Sequence, residues 1–173
     1  MEIRKTSLAE LDSICEFYDN QIDLMRDCGY FTLWEKGIYP DRERIRGFIE
    51  AGSMFAGWEN GAIIAAMALN SDGGAEYDNV RWSVAAAPGE VLVIHILAVS
   101  LKCKNRGLGR QMLEFAIAHA KSRSMKTIRM DVHSSNTTAL KLYEKMDFTQ
   151  LETVSIFYDG LGLHDFIMHE LAI

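Results

Sequence analysis

The chain has 173 residues, 49% of them hydrophobic, and a formal net charge of −6 at pH 7. That length and apolar content suit one globular domain spanning residues 1–173, and the negative balance argues against nucleic acid as a partner, because such binding rests on neutralising phosphate. No run of about 18 apolar residues offers a membrane span, Glu2, Arg4 and Lys5 do not read as a signal peptide, and the scattered Cys15, Cys28 and Cys103 fit free thiols in a reducing, cytoplasmic compartment.

Glu2 to Thr6 reads as a first strand. Ser7 and Glu10 then form a capping box, and Leu8, Leu11, Ile14, Cys15 and Tyr18 supply the stripe of a helix running toward Arg26 and broken at Cys28-Gly29. Tyr30, Phe31, Trp34 and Tyr39 crowd the connection before Pro40. Asp41 to Ala51 is a second helix, ended by Gly52. Ser53 to Trp58 and Ala62 to Leu69 are strands, and Asn60-Gly61 between them is a hairpin turn because both residues accept positive φ. Asn70 to Glu76 is a loop. Tyr77 to Ala87 suits a strand or an irregular cover, and Pro88-Gly89 turns the chain into Glu90.

Val91 to Val99 is an unbroken apolar run with the β-branched content of a strand buried on both faces. A polar loop, Ser100 to Arg106, leads to Gly107-Leu108-Gly109 and a helix whose stripe is Met112, Leu113, Ala116, Ile117 and Ala120. Thr127 to His133 is a further strand, Asn136 opens a helix that ends before Phe148, and Leu151 to Tyr158 with Asp165 to Leu171 forms a last hairpin. Strands alternate with helices, so the class is α/β or α+β.

The loop at Gly107 has the chemistry of an anion site. Glycines at a helix start let main chain approach a ligand, the first free N–H groups point into the loop, and the positive end of the helix dipole lies behind them. Lys104, Arg106 and Arg110 add full charges. A dinucleotide fold is set aside because Met112 stands where a third glycine is required. Gly-Lys-Ser/Thr is absent, which removes a P-loop. His164 and His169, five apart on a strand, point to opposite faces, which removes the suggestive metal pair.

Lys104-Asn105-Arg106-Gly107-Leu108-Gly109 resembles the Gln/Arg-x-x-Gly-x-Gly/Ala loop of the GCN5-related N-acetyltransferases. Asn136-x-x-Ala139-x-x-Leu142-Tyr143-Glu144-Lys145-x-x-Phe148 resembles their second motif. Lys104 departs from the usual Gln or Arg and loses a planar fork. Asp147 departs from the usual Gly at a helix end, which concerns capping rather than chemistry. The resemblance implies a GNAT-like mixed, mostly antiparallel sheet of about six to seven strands with about four helices, split between the central strand and the next.

It also implies acetyl-CoA as co-substrate, with no metal, and transfer of the acetyl group to a primary amine of a small molecule or peptide. The diphosphate would rest on Lys104 to Arg110. A bulge near Leu97, Ala98 and Val99 would hold the pantetheine arm, and a main-chain N–H there would polarise the thioester. By the same resemblance Asn136 contacts the cofactor's amide arm and the Tyr143 hydroxyl faces its sulfur. From their residue types alone, Asn136 serves equally as a helix cap and Tyr143 as a core edge. His95, and second Glu90, are the candidates for the base that takes the amine's proton. A non-catalytic acyl-CoA sensing module is the alternative function, and a homodimer through the last hairpin is left open.

Overall fold

The computed structural model describes residues 1–28 and 33–173, so the expectations placed on Gly29, Tyr30 and Phe31 lie outside the described residues. Its strands are β1 (Glu2–Lys5), β2 (Met54–Glu59), β3 (Ala62–Asn70), β4 (Val91–Val99), β5 (Thr127–His133), β6 (Thr149–Tyr158) and β7 (Gly162–Ala172). Its α-helices are α1 (Leu11–Asp27), α2 (Arg42–Glu50), α3 (Leu108–Ser122) and α4 (Thr137–Glu144). The seven strands form one mixed sheet in the order β1-β2-β3-β4-β5-β7-β6. β4 and β5 run parallel, whereas β1–β2, β2–β3, β5–β7 and β6–β7 are antiparallel.

By internal contacts the chain forms two compact units, one of Met1–Leu69 with His95–Met112 and one of Asn70–Ile94 with Leu113–Ile173. In the first, Leu11, Ile14, Phe17 and Tyr18 of α1 and Ile45 and Ile49 of α2 share a core with Met54, Ala56, Ala66, Ala68, Ile96 and Ala98. The helical stripe read from the sequence is buried at Leu11, Ile14 and Tyr18, but Leu8 is 49% exposed. It sits in a 3-10 turn, Leu8–Glu10, that precedes α1 and aims it elsewhere. Asp41 caps α2, its carboxylate accepting from the Arg44 N–H at 2.7 Å. Asn60 and Gly61 take φ of 52° and 77°, so the β2–β3 turn is the one their sequence demands.

In the second unit Tyr77 to Ala87 is an irregular cover rather than a strand, and a buried carboxylate explains why. Glu170, 2% exposed, accepts from the Ser83 and Val84 N–H groups at 2.7 and 3.0 Å and from Arg129 Nε at 3.0 Å. Arg129 also donates to the Val84 carbonyl at 2.9 Å and lies 4.3 Å from the Trp82 ring centroid. These amides are spent on side chains and cannot join a ladder. A buried ion pair whose remaining hydrogen bonds are also made is tolerated where a bare one would not be.

Helix ends in both units use the same device. Phe148 N–H donates to the Tyr143 carbonyl at 3.0 Å and Asp147 N–H to the Glu144 carbonyl at 3.1 Å, with Asp147 at φ 63°. That pairing is the Schellman closure of α4, and the Tyr143 and Phe148 rings, 5.9 Å apart, supply its apolar contact. Gly52 (φ 64°) closes α2 and Ser124 (φ 56°) closes α3 in the same way.

Candidate active site

His95, Leu97, Ala98 and Val99, all candidate site residues, lie on β4. This strand pairs with β5 at Val91, Leu92 and Val93, and there the ladder ends although β4 continues to Val99. Ile96 has φ 45°, a left-handed backbone at a β-branched residue. Such a conformation is strained and persists only where its surroundings over-determine it. The irregularity at Ile96 adjoins the Leu97-Ala98-Val99 segment, near which the resemblance implies a bulge. Ala98 is buried in the core of the first unit, while Leu97 and Val99 are half-buried.

Two polar side chains of α1, Tyr18, which the sequence places only in the helical stripe, and Gln21, which it does not single out, are fixed on this segment. Tyr18, 1% exposed, donates its hydroxyl to the Ile96 carbonyl at 2.8 Å. Gln21, 3% exposed, accepts the Leu101 N–H at 2.9 Å. They lie one helical turn apart on the buried face of α1. Burial pushes the Tyr18 phenol well above its ordinary range, so it remains a donor. The helical stripe signals burial of Tyr18; only the fold shows that its partner lies 78 residues away.

Beyond Val99 the chain crosses a short turn, Leu101–Cys103, and reaches the glycine loop. Asn105 and Gly107 take φ of 62° and 69°. A Cβ built on Gly107 meets nothing within 4 Å, so open space lies over this backbone at the mouth of α3. Leu108 is 3% exposed and anchors the first turn, while Lys104, Asn105, Arg106 and Arg110 are exposed and Gly109 is half-buried. Arg106 does not simply surround the glycines. Its terminal nitrogens donate to both oxygens of Glu59 at 2.9 and 2.6 Å, and Glu59 holds its charge firmly on. In turn Arg106 lowers the Glu59 carboxyl below the usual range.

His95 is half-buried, with its ring 5.5 Å from that of Phe48 on α2. Trp34 stacks edge-on against Tyr18 at 5.6 Å, the packing role open to it from the sequence. Glu90 is differently occupied. It forms an ion pair with Lys126 at 2.8 Å and accepts the Ala87 N–H at 2.9 Å, and these contacts hold its carboxyl below the ordinary range. A carboxylate so stabilised is a poorer proton acceptor than a free one.

In the second unit Asn136 is the N-cap of α4, accepting the Ala139 N–H at 3.1 Å. Tyr143 is 6% exposed, packed on Phe148 and, at 5.5 Å, on His169. Burial, reinforced by the charge of Asp131, raises its phenol well above the ordinary range. Asp131, on β5, accepts the Tyr77 hydroxyl at 2.8 Å, and its own carboxyl is raised by burial. His169 is 2% exposed, whereas His164 meets His133, Nδ1 to Nε2, at 3.4 Å. Among the described residues no three His, Cys, Asp or Glu side chains are grouped to hold a metal ion, no helix is long and apolar enough to cross a membrane, and all three cysteines are free.

Residues 10–148 match the model of the acetyltransferase (GNAT) family. Mycothiol acetyltransferase of Thermobispora bispora is 29% identical over 85 residues, 49% of this chain and 28% of that protein. The [ribosomal protein bS18]-alanine N-acetyltransferase of Salmonella typhimurium is 33% identical over 69 residues, 40% of this chain and 47% of that protein. The chain thus spans less than about half the length of both relatives. Among solved structures, yncA from Salmonella typhimurium with its cofactor acetyl-CoA superposes with a TM-score of 0.71 at 18% identity, covering 99% of this chain and 93% of that one. The family match covers most of the sequence, and the seven-stranded mixed sheet with four helices is the fold of that neighbour. The chain belongs to the acetyltransferase (GNAT) family.

Proposed function

We propose that the protein transfers the acetyl group of acetyl-CoA to a primary amine by direct attack in a ternary complex. The observation that carries this reading is the open backbone at Gly107, with positive φ at the mouth of α3 and cationic side chains in the same loop. A diphosphate there accepts hydrogen bonds from the first N–H groups of α3, and the helix dipole favours its charge. Lys104, Asn105, Arg106, Leu108, Gly109 and Arg110 complete the loop. The main chain of Leu97, Ala98 and Val99 holds the pantetheine arm, and an N–H of that segment polarises the thioester carbonyl.

In the transfer a C–N bond forms, the C–S bond breaks and the amine loses a proton. A free amine with pKa near 10 is almost wholly protonated at neutral pH, so exposing its lone pair costs about 4 kcal/mol. We assign acceptance of that proton to His95, directly or through water. Tyr143 donates a hydrogen bond toward the sulfur as charge develops on it. Its raised phenol favours hydrogen bonding over full proton transfer. Asn136 keeps its side-chain N–H groups for the amide arm while its oxygen caps α4.

The acceptor is an amine of a small molecule or a peptide, and the protein acts in the cytoplasm. The two relatives are named for mycothiol and for an alanine of ribosomal protein bS18, and neither acceptor is carried over to this chain. The test is thiol release from acetyl-CoA across polyamines, amino acids, aminoglycosides and peptides. Turnover on any of them supports the transferase. Thermal stabilisation by CoA with no turnover on any would favour an acyl-CoA sensing module.

A further inference from the structure

Ile96 carries a conformation that its side chain opposes. For a β-branched residue, positive φ costs on the order of 1–3 kcal/mol unless neighbouring groups hold it. Three observations in the first unit bear on what holds it. The Ile96 side chain is 7% exposed and packed in the core with Ala98. Tyr18 donates to the carbonyl of the same residue at 2.8 Å. Gln21, one turn further along α1, accepts the Leu101 N–H at 2.9 Å. The segment from Ile96 to Leu101 is thus gripped at both ends by buried side chains of one helix, and neither bond belongs to a β-ladder.

The direction of these bonds matters. A carbonyl drawn toward a phenol on α1 turns its peptide plane out of the regular pleat, and the amides that follow are re-aimed with it. Removing the hydroxyl would take the buried phenol donor from the Ile96 carbonyl and leave the left-handed residue without that polar restraint. The chain would then relax toward an ordinary extended strand, in which Leu97 to Val99 present their N–H groups differently.

We propose that Tyr18 is a positioning residue for the transfer reaction, fixing the turned peptide at Ile96 so that the amides of Leu97 to Val99 face the thioester-bearing arm. The inference rests on the proposed transferase reading. It assigns Tyr18 no contact with the reacting atoms. Gln21 fixes the other end of the same segment.

Tyr18→Phe keeps the ring and its packing on Phe17 and Trp34 and removes only the donor. With the full chain, the measurements are kcat and KM for an amine acceptor, CoA affinity by calorimetry, and amide hydrogen exchange at Leu97, Ala98 and Val99. The expected result is a kcat lowered by about tenfold or more, as for loss of one aligned donor group. CoA affinity should stay within about threefold, since the loop at Gly107 is untouched, and exchange at the three amides should quicken. The second variant is Ile96→Gly, because glycine adopts positive φ without strain. In that background the further loss on Tyr18→Phe should shrink to less than about twofold. Unchanged kcat and unchanged exchange in Tyr18→Phe, with an active parent protein, would overturn the positioning role and leave the transferase standing. A parent protein inactive on every acceptor would instead defeat the transferase reading. Quickened exchange at the three amides in Tyr18→Phe would then still support the restraint on Ile96, and unchanged exchange would remove that as well.

Discussion

Arg106 and Glu59 meet side-on, two nitrogens to two oxygens at 2.9 and 2.6 Å, so one of the cations of the glycine loop is tied to the end of β2. The pair is solvent-accessible, with side chains 45% and 30% exposed, and contributes little to stability. Its effect falls on the neighbouring anion site. A carboxylate beside a bound diphosphate repels it, and the same carboxylate holds Arg106 away. Glu59→Gln should therefore tighten CoA binding, by about threefold at low salt, with the gain fading as salt screens it. Calorimetric titration at two ionic strengths checks this, and weaker binding would mean that Glu59 presents Arg106 to the diphosphate rather than withholding it.

Asp147 occupies a left-handed position, φ 63°, that closes α4. Aspartate tolerates this conformation less well than glycine, so Asp147→Gly should raise stability by about 0.5–1 kcal/mol, a rise in Tm of about 1–4 °C for a chain of this size. Turnover should not change. A lower Tm would show that the Asp147 side chain makes a contribution beyond its backbone.

Hydrogen bonds fix the proton on the His133–His164 pair. Ser135 N–H donates to His133 Nδ1 at 3.2 Å, so the proton of His133 sits on Nε2 and faces His164 Nδ1 at 3.4 Å. His164 Nε2 then donates to the Leu161 carbonyl at 2.9 Å. A further proton would set two donors against each other. Burial first, and His164 second, lower the pKa of His133 from 6.5, with Asp165 opposing. The folded state thus resists a proton that the unfolded chain accepts, and the stability from neutral His133 is complete above pH 6.5 and declines as pH falls below it. Urea midpoints at pH 7.5 and 5.5 should differ less in His133→Gln than in the parent. His169, also lowered by burial, contributes to the residual slope. An equal loss in both proteins would contradict the assignment.

Tyr143→Phe should lower kcat by about tenfold while leaving CoA affinity within about twofold, if the hydroxyl acts on the departing sulfur alone. Equal losses in both would assign the residue to packing on Phe148 and His169.

Much of this was legible in the residues, and what was not has a common cause. Asn60-Gly61, the Asp41 cap and the apolar run Val91–Val99 declare their structure locally, through φ preference, a side-chain acceptor and β-branching. The glycine loop was readable for the same reason. The left-handed backbone at Ile96 has no signature of its own, because an apolar strand hides where its backbone departs from the pleat. Tyr18 looked like one more core ring, since a phenol reveals a carbonyl partner only in three dimensions. The ion pair of Glu90 with Lys126 and its bond from the Ala87 N–H join residues that no local pattern pairs. Tyr77 to Ala87 gave no period because its amides bond to Glu170, far along the chain.

The most direct measurement is a calorimetric titration of the parent protein and of Gly107→Asp with coenzyme A, with Tm recorded for both. Asp at φ 69° carries a strain of about 0.5–1 kcal/mol, as at Asp147, but its Cβ enters open space, so the variant should stay folded while its bulk and negative charge fall where the diphosphate rests. Saturable binding to the parent and none to Gly107→Asp is the predicted result. No association with the parent, or equal affinity in the two, would contradict the placement of the diphosphate at the mouth of α3.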